Sequence, residues 1–283
     1  MLNALTVDVE EWFDTILFSA PPAGACSRLP ENISDILDLL KRHAVHATFF
    51  VLGSVARAHP DFVKAIAAAG HEVASHGDTH KAVFRMSAAQ FKKSLEDSRD
   101  ALTAITGKKP AGYRAPTFSI CGNTEEHIAT IKNAGYSYDS SLYPLSLSGR
   151  LREPHKRPCG IIEFPPSVFC WHGLRIPFLG GSFLRLLPQS FITSTLASLN
   201  TEGLPGMLYF HSWEFEKTKP AGTGFAAAAG QFLNSASVPR KVDALLQNFS
   251  FAPAQRVLAL YDWSEFKPDR AATVPPVGAR NRS

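Results

Sequence analysis

The feature that most constrains this chain is a rhythm in which short β-rich runs alternate with longer amphipathic patterns, with glycines where several of the helical patterns stop. Ala4 to Val9 reads as a strand, and Ile33 to His43 as a helix with Ile36, Leu37, Leu39 and Leu40 on its apolar side. Ala47 to Leu52 and Pro60 to Ala69 repeat the unit, closed by Gly70; Glu72 to Ser75 and Ser87 to Thr106 repeat it again, closed by Gly107. A fourth unit joins Gly112 to Ala115 with a helix over Thr124 to Ala134, closed by Gly135, and Tyr136 to Asp139 predicts the next strand. Glycine just past a helix suits the left-handed conformation that ends it. Parallel strands need crossovers and helices supply them, so the alternation predicts a parallel sheet, as in an α/β barrel. Residues 140 to 182 break the rhythm. They are rich in Pro and Gly, hold β-like pieces at Ile161 to Phe164 and Arg175 to Phe178, and predict a long excursion over one face. The pattern resumes with a helix at Gln189 to Asn200, a strand at Gly206 to Phe210 and a helix at Val238 to Phe249.

At 283 residues and 45% hydrophobic, the chain can bury one sizeable core, and a single barrel uses nearly all of it. The formal charge of +4 is spread along the chain, which argues against nucleic acid as a partner. The stretch Arg270 to Ser283 keeps no apolar period and reads as a disordered tail. Cys26, Cys121, Cys159 and Cys170 form no C-x-x-C pair, so reduced thiols in a cytoplasmic setting are expected. Met1 to Leu5 is too short for a signal peptide before Asp8-Val9-Glu10-Glu11 begins. No apolar run approaches the roughly 18 residues of an integral membrane segment.

Polar residues interrupt the C-terminal ends of the predicted strands: Asp8 and Glu10, then His76 and His80, Arg114, Asp139 and His211. In a parallel α/β barrel the active site lies at that face. His76-Gly77-Asp78-Thr79-His80 sets two imidazoles four residues apart, a spacing that brings both to one face of a helical turn and onto one metal. Asp8 and Glu10 differ by two along a strand and so project from the same side. One of the two carboxylates can complete a two-His, one-carboxylate site with open positions, leaving the other as a base.

Five segments carry a resemblance: Thr6-Val7-Asp8-Val9-Glu10, His76-Gly77-Asp78-Thr79-His80, Tyr113-Arg114-Ala115-Pro116, Asp139-Ser140-Ser141 and Met207-Leu208-Tyr209-Phe210-His211. In that order they resemble the motifs of polysaccharide deacetylases with a nodulation-type (NodB) homology domain. Glu10-Glu11-Trp12-Phe13, the run Gly180 to Pro188 and Phe210-His211-Ser212-Trp213-Glu214-Phe215 resemble a narrower branch that accompanies exosortase-type exopolysaccharide systems. The resemblance implies a distorted (β/α) barrel of the polysaccharide deacetylase type over residues 1–269, with a C-terminal extension from about 216.

It also implies roles. Asp8 is the general base, positioned by Arg114; His76 and His80 are metal ligands; His211 is the general acid, oriented by Asp139. The commoner motif has two adjacent Asp residues, whereas Val9 stands second here. Strand geometry, and cyclic-amide-hydrolysing relatives with the same offset, make Glu10 the carboxylate ligand. Two nitrogens and one carboxylate suit Zn2+. Trp213 and Tyr143 are the aromatics expected against a sugar ring. The expected substrate is an N-acetylated saccharide of an exopolysaccharide or its lipid-linked precursor, met through peripheral contact. The alternatives are a small cyclic imide or ureide at the same site, or a non-catalytic carbohydrate-binding protein.

Overall fold

Side chains along β1 (Leu2–Val9) divide by parity, as a strand requires. Leu5, Val7 and Val9 enter the larger apolar cluster, whereas Ala4 belongs to a second one and Thr6 and Asp8 are buried polar neighbours on its side. The computed structural model describes residues 1–14, 22, 25–121, 124–144, 152–217 and 231–264. The predicted tail at 270–283 lies outside the described residues, as does 218–230 of the predicted extension.

β1 stands between β10 (Met207–His211) and β2 (Thr48–Val51). The sheet continues through β3 (Glu72–Ser75), β4 (Gly112–Tyr113), β5 (Tyr138–Asp139), β7 (Ile162–Glu163) and β6 (His155–Lys156). All these pairings are parallel except β6 on β7. A further short strand, β11 (Ser250–Ala252), runs parallel to the start of β1. The order ends at β10 and β6 without joining them, so the sheet is curled into a half-barrel with helices around it, the distorted form of the expected barrel.

The crossover helices form where apolar periodicity and end signals agree. Helix α1 (Leu29–Arg42) has Pro30 in its first turn with Glu31, and Lys41 and Arg42 in its last turn, matching the helix dipole. It buries Leu29, Ile33, Ile36, Leu39 and Leu40 against the outer face of the sheet. After α2 (Gly53–Ala58) and α3 (Pro60–Ala68), helix α4 (Ala88–Thr106) opens on a Ser87/Gln90 capping box and closes on Gly107 at φ 73°. Helices α5 (Thr124–Asn133), α6 (Gly181–Leu186), α7 (Gln189–Thr201), α8 (Val238–Asn248) and α9 (Ala254–Leu258) complete the set among the described residues. None of the described helices is long and apolar enough to cross a membrane.

The sequence reading misses α2, α6, β11 and α9, each of six residues or fewer and too short to show a period. Within the irregular stretch, β8 (Val168–Trp171) and β9 (Leu174–Pro177) pair as a hairpin apart from the main sheet. Its turn, His172-Gly173, has both residues at positive φ, the conformation a two-residue hairpin demands.

Candidate metal centre and proton-transfer site

Strand ends place the site. β1 delivers Asp8 and, one step past its end, Glu10; the loop after β3 delivers His76 and His80; β10 ends on His211, in register with Asp8. The two histidines converge, but not on a helical turn as the spacing suggests. Residues 76 to 82 form a bend without helix, with Gly77 at φ 83°. That left-handed step is what the glycine between the two motif histidines supplies. The loop is pinned by Gly53 N–H to Gly77 O at 2.9 Å, Ser54 N–H to Asp78 O at 2.8 Å and Asp78 N–H to Ser94 Oγ at 3.0 Å.

Glu10, His76 and His80 each offer one ligand atom within 4.8 Å of the others. Glu10 Oε2 lies 2.7 Å from His80 Nε2 and 3.6 Å from His76 Nε2, yet it accepts no well-formed hydrogen bond. A buried carboxylate oxygen in that state needs a cation. His76 Nδ1 donates to Arg114 O at 2.8 Å, a bond that fixes the tautomer and leaves Nε2 as the ligand nitrogen. Trp213 Nε1–H donates to the other oxygen, Glu10 Oε1, at 3.0 Å. Burial opposes the charge on Glu10, but His80, His76 and His211 outweigh it and hold the carboxyl well below its ordinary range. The donor set and its second ring of contacts therefore fit a divalent metal.

Asp8 lies outside that triad. Its Oδ1 accepts from Arg114 Nη1 at 2.7 Å, and Arg114 is wholly buried. The guanidinium also donates to Thr6 Oγ1 and Ser140 Oγ, each at 3.0 Å, and lies over the Phe50 ring at 4.1 Å. So many fixed contacts allow Asp8 little freedom, as a base aimed at one atom requires.

His211 sits at the opposite side of Glu10, its Nε2 4.0 Å from Glu10 Oε1. Burial disfavours its charged form, but Glu214, Glu10 and Asp8 together lift its pKa to about 9. The expected partner, Asp139, is elsewhere. Asp139 accepts from Ser141 Oγ at 2.6 Å and stands in register with Glu163, and no ion pair joins it to His211 among the described residues. The contact is made instead by Glu214 Oε2, 3.2 Å from His211 Nδ1. The physical reason is strand parity: Tyr138 and Ser140 face β10 across the curl, with Ser140 Oγ 3.2 Å from Met207 Sδ, and Asp139 between them points to the other side.

Trp213 is 4% exposed, stacked on the His211 ring at 5.1 Å and 14°, with the Arg185 guanidinium 5.2 Å from its centre. It is a wall of the site rather than an open platform for a sugar, correcting that expectation. Tyr143 is half-buried; its hydroxyl meets that of Tyr209, and its ring meets Phe118 edge-on at 4.6 Å. Glu163, Arg185 and Glu214 are the residues sequence reasoning missed. Glu214 alone had a signal, its place three residues after His211. A cavity of about 910 Å³ opens at the N-terminal ends of β3 and β4 beside Lys64, His71, Lys108 and Arg256, away from this centre.

Residues 13–138 match the family model described as "Polysaccharide deacetylase", and residues 140–259 match that of a "Domain of unknown function (DUF3473)". Asp8 and Glu10 precede the first match, His76, His80 and Arg114 lie inside it, and His211 and Glu214 lie in the second. Over 174 residues the chain is 34% identical to a peptidoglycan-N-acetylglucosamine deacetylase of Bacillus cereus, covering 56% of this chain and 63% of that one. For other curated relatives, peptidoglycan deacetylases of Bacillus subtilis and Helicobacter pylori among them, the matched stretch is less than two fifths of their length. The crystal structure of a candidate polysaccharide deacetylase from Mycobacterium smegmatis superposes with a TM-score of 0.65 at 20% identity, over 95% of this chain and 93% of that one. A family 4 carbohydrate esterase pseudoenzyme from Bacillus anthracis superposes with a TM-score of 0.52 at 15% identity, over 91% and 65%. These likenesses carry the fold, and the last of them shows that the fold does not by itself carry activity.

Proposed function

From the polysaccharide deacetylase match over residues 13–138, we propose that this chain is a metal-dependent deacetylase that hydrolyses N-acetyl groups of amino sugars. The observation that carries the reading is the convergence of Glu10, His76 and His80 beside two proton-transfer groups, Asp8 held by Arg114 and His211 held by Glu214. A carbohydrate-binding protein needs neither of the latter pairs. Glu10, His76 and His80 would hold the metal, with Zn2+ proposed from the two-nitrogen, one-carboxylate set. When bound, such a metal polarises an acetyl carbonyl and acidifies water.

The protein's own groups then divide the proton work. Asp8, fixed by Arg114, takes the proton of the attacking water. His211, held protonated through neutral pH, donates to the amide nitrogen as the carbon–nitrogen bond breaks. An amine and acetate leave. Tyr143, in the Tyr209 and Phe118 cluster beside Asp8 and Arg114, is the proposed saccharide contact. We assign the substrate to an exopolysaccharide or its lipid-linked precursor and the compartment to the cytoplasm, in keeping with a sequence that holds four cysteines and no C-x-x-C pair. The curated relatives named for an activity deacetylate saccharides, which favours a sugar over a cyclic imide or ureide.

The test is acetate release from N-acetylated chitooligosaccharides by purified protein loaded with zinc. Release that disappears in both Asp8→Asn and His211→Ala supports the reading. Absence of release, with a cyclic imide opened instead, would replace it.

A further inference from the structure

We infer that Glu214, and not Asp139, is the residue that positions His211 for proton transfer; the inference rests on the deacetylase reading and deepens it. His211 is the last residue of β10, and the chain turns at once into a 3-10 turn over Ser212–Phe215. That turn brings Glu214 back onto His211, where Oε2 accepts from the His211 backbone N–H at 2.8 Å and meets its Nδ1 at 3.2 Å. Glu214 is wholly buried, and its other oxygen faces Arg185 Nη1 at 3.5 Å. Arg185, itself 4% exposed, also lies over Trp213, and Trp213 stacks on the imidazole. The ring is thus held at one nitrogen and one face. A carboxylate against Nδ1 keeps a proton on that nitrogen and leaves Nε2, on the side of Glu10, to exchange its proton with substrate.

Asp139 is committed to other partners. Ser141 Oγ–H donates to it, Glu163 stands opposite it across β5 and β7, and the backbone N–H of Leu142 binds Glu163 in turn. The pair closes on itself on the side of β5 opposite to Ser140, whose Oγ lies 3.2 Å from Met207 Sδ of β10. A three-residue separation in sequence therefore does here what a long-range carboxylate would otherwise do.

The experiment compares Glu214→Gln and Asp139→Asn in the zinc-loaded protein on an N-acetylated chitooligosaccharide and on an activated aryl acetate. Glu214→Gln is expected to lower kcat on the amide by about 10²-fold with KM and zinc content unchanged, and to lose far less on the ester, whose leaving group departs without a proton. Asp139→Asn is expected to keep kcat within about threefold on both substrates, as for a residue outside the proton path. Nitrogen-15 spectra of the metal-free protein, recorded at a pH alkaline enough to neutralise His211, give a readout independent of turnover: the parent and Asp139→Asn hold the proton of neutral His211 on Nδ1, and Glu214→Gln mixes the tautomers. If Glu214→Gln does not fold, Glu214→Asp, which keeps the charge but withdraws the oxygens by one methylene, is read in its place. A leaving-group-dependent loss in Asp139→Asn, or an unchanged His211 tautomer in the Glu214 variant, overturns the assignment. If no acetate is released by the parent, the deacetylase reading fails, and the spectra alone still decide whether Glu214 holds His211.

Discussion

Glu10 carries the strongest single argument for a metal, because a carboxylate oxygen buried between two imidazoles without a hydrogen bond is costly unless a cation completes it. Removing either imidazole takes away one of the three groups proposed to hold the metal. His76→Ala and His80→Ala should each lower zinc content by at least about tenfold under chelator competition, since even outer-shell losses reach that size. Full retention in either variant, measured by elemental analysis, would remove the loop after β3 from the site. Asp8→Asn should leave zinc content intact and lower turnover by about 10² to 10⁴, the range for a positioned base. Loss of zinc from Asp8→Asn, with Glu10→Gln still loaded, would exchange the two roles. Asp8, Glu10, His76 and His80 were legible because strand parity and a four-residue spacing constrain where such side chains can meet. Glu163 and Arg185 were not, since nothing local to either points to its partner, and the expected pairing of Asp139 with His211 fails because Asp139 lies on the opposite side of β5 from Ser140, which faces β10.

Long amphipathic helices and the strands they connect were read nearly to their ends, and the capping box and Gly107 explain why α4 was among the clearest. Short elements were not, because six residues or fewer hold no period and are set by what they pack against. The Gly180-Gly181 pair at the start of α6 shows this. A Cβ at Gly180 would lie 2.0 Å from Tyr209 Cδ1, so the glycine exists to let the Tyr209 ring lie across the backbone beside β10. Gly180→Ala should therefore destabilise the fold by about 2 kcal/mol through overpacking. Denaturant midpoints measure it, and Gly107→Ala, strained by φ but with nothing within 4 Å, separates steric from conformational cost. A Gly180→Ala protein as stable as the parent would mean that the ring moves aside freely.

The curled sheet ends near β5 and β7, where Asp139 and Glu163 face one another, both fully buried. Two carboxylates so placed cannot both ionise cheaply. Burial lifts Asp139 to about 6 despite its hydrogen bonds, and burial with the neighbouring Asp139 lifts Glu163 well above its ordinary range, Arg157 opposing. The pair thus binds more protons folded than unfolded, where each carboxyl titrates near 4. Its contribution to stability is complete below that value and is lost progressively as pH rises from there to the folded pKa values, about 6 for Asp139 and well above the ordinary range for Glu163. Glu163→Gln replaces the shared proton with a permanent amide donor beside Asp139. Relative to the parent, the variant should gain stability as pH rises from 6 toward the folded pKa of Glu163, by up to about 1.4 kcal/mol for each pH unit, and should keep that gain above it. Urea midpoints of the two proteins at pH 6, 7.5 and 9 test this. Parallel curves would show that the pair does not share a proton across this range and that the strand junction is held by the apolar contacts of Tyr138 and Phe164 instead.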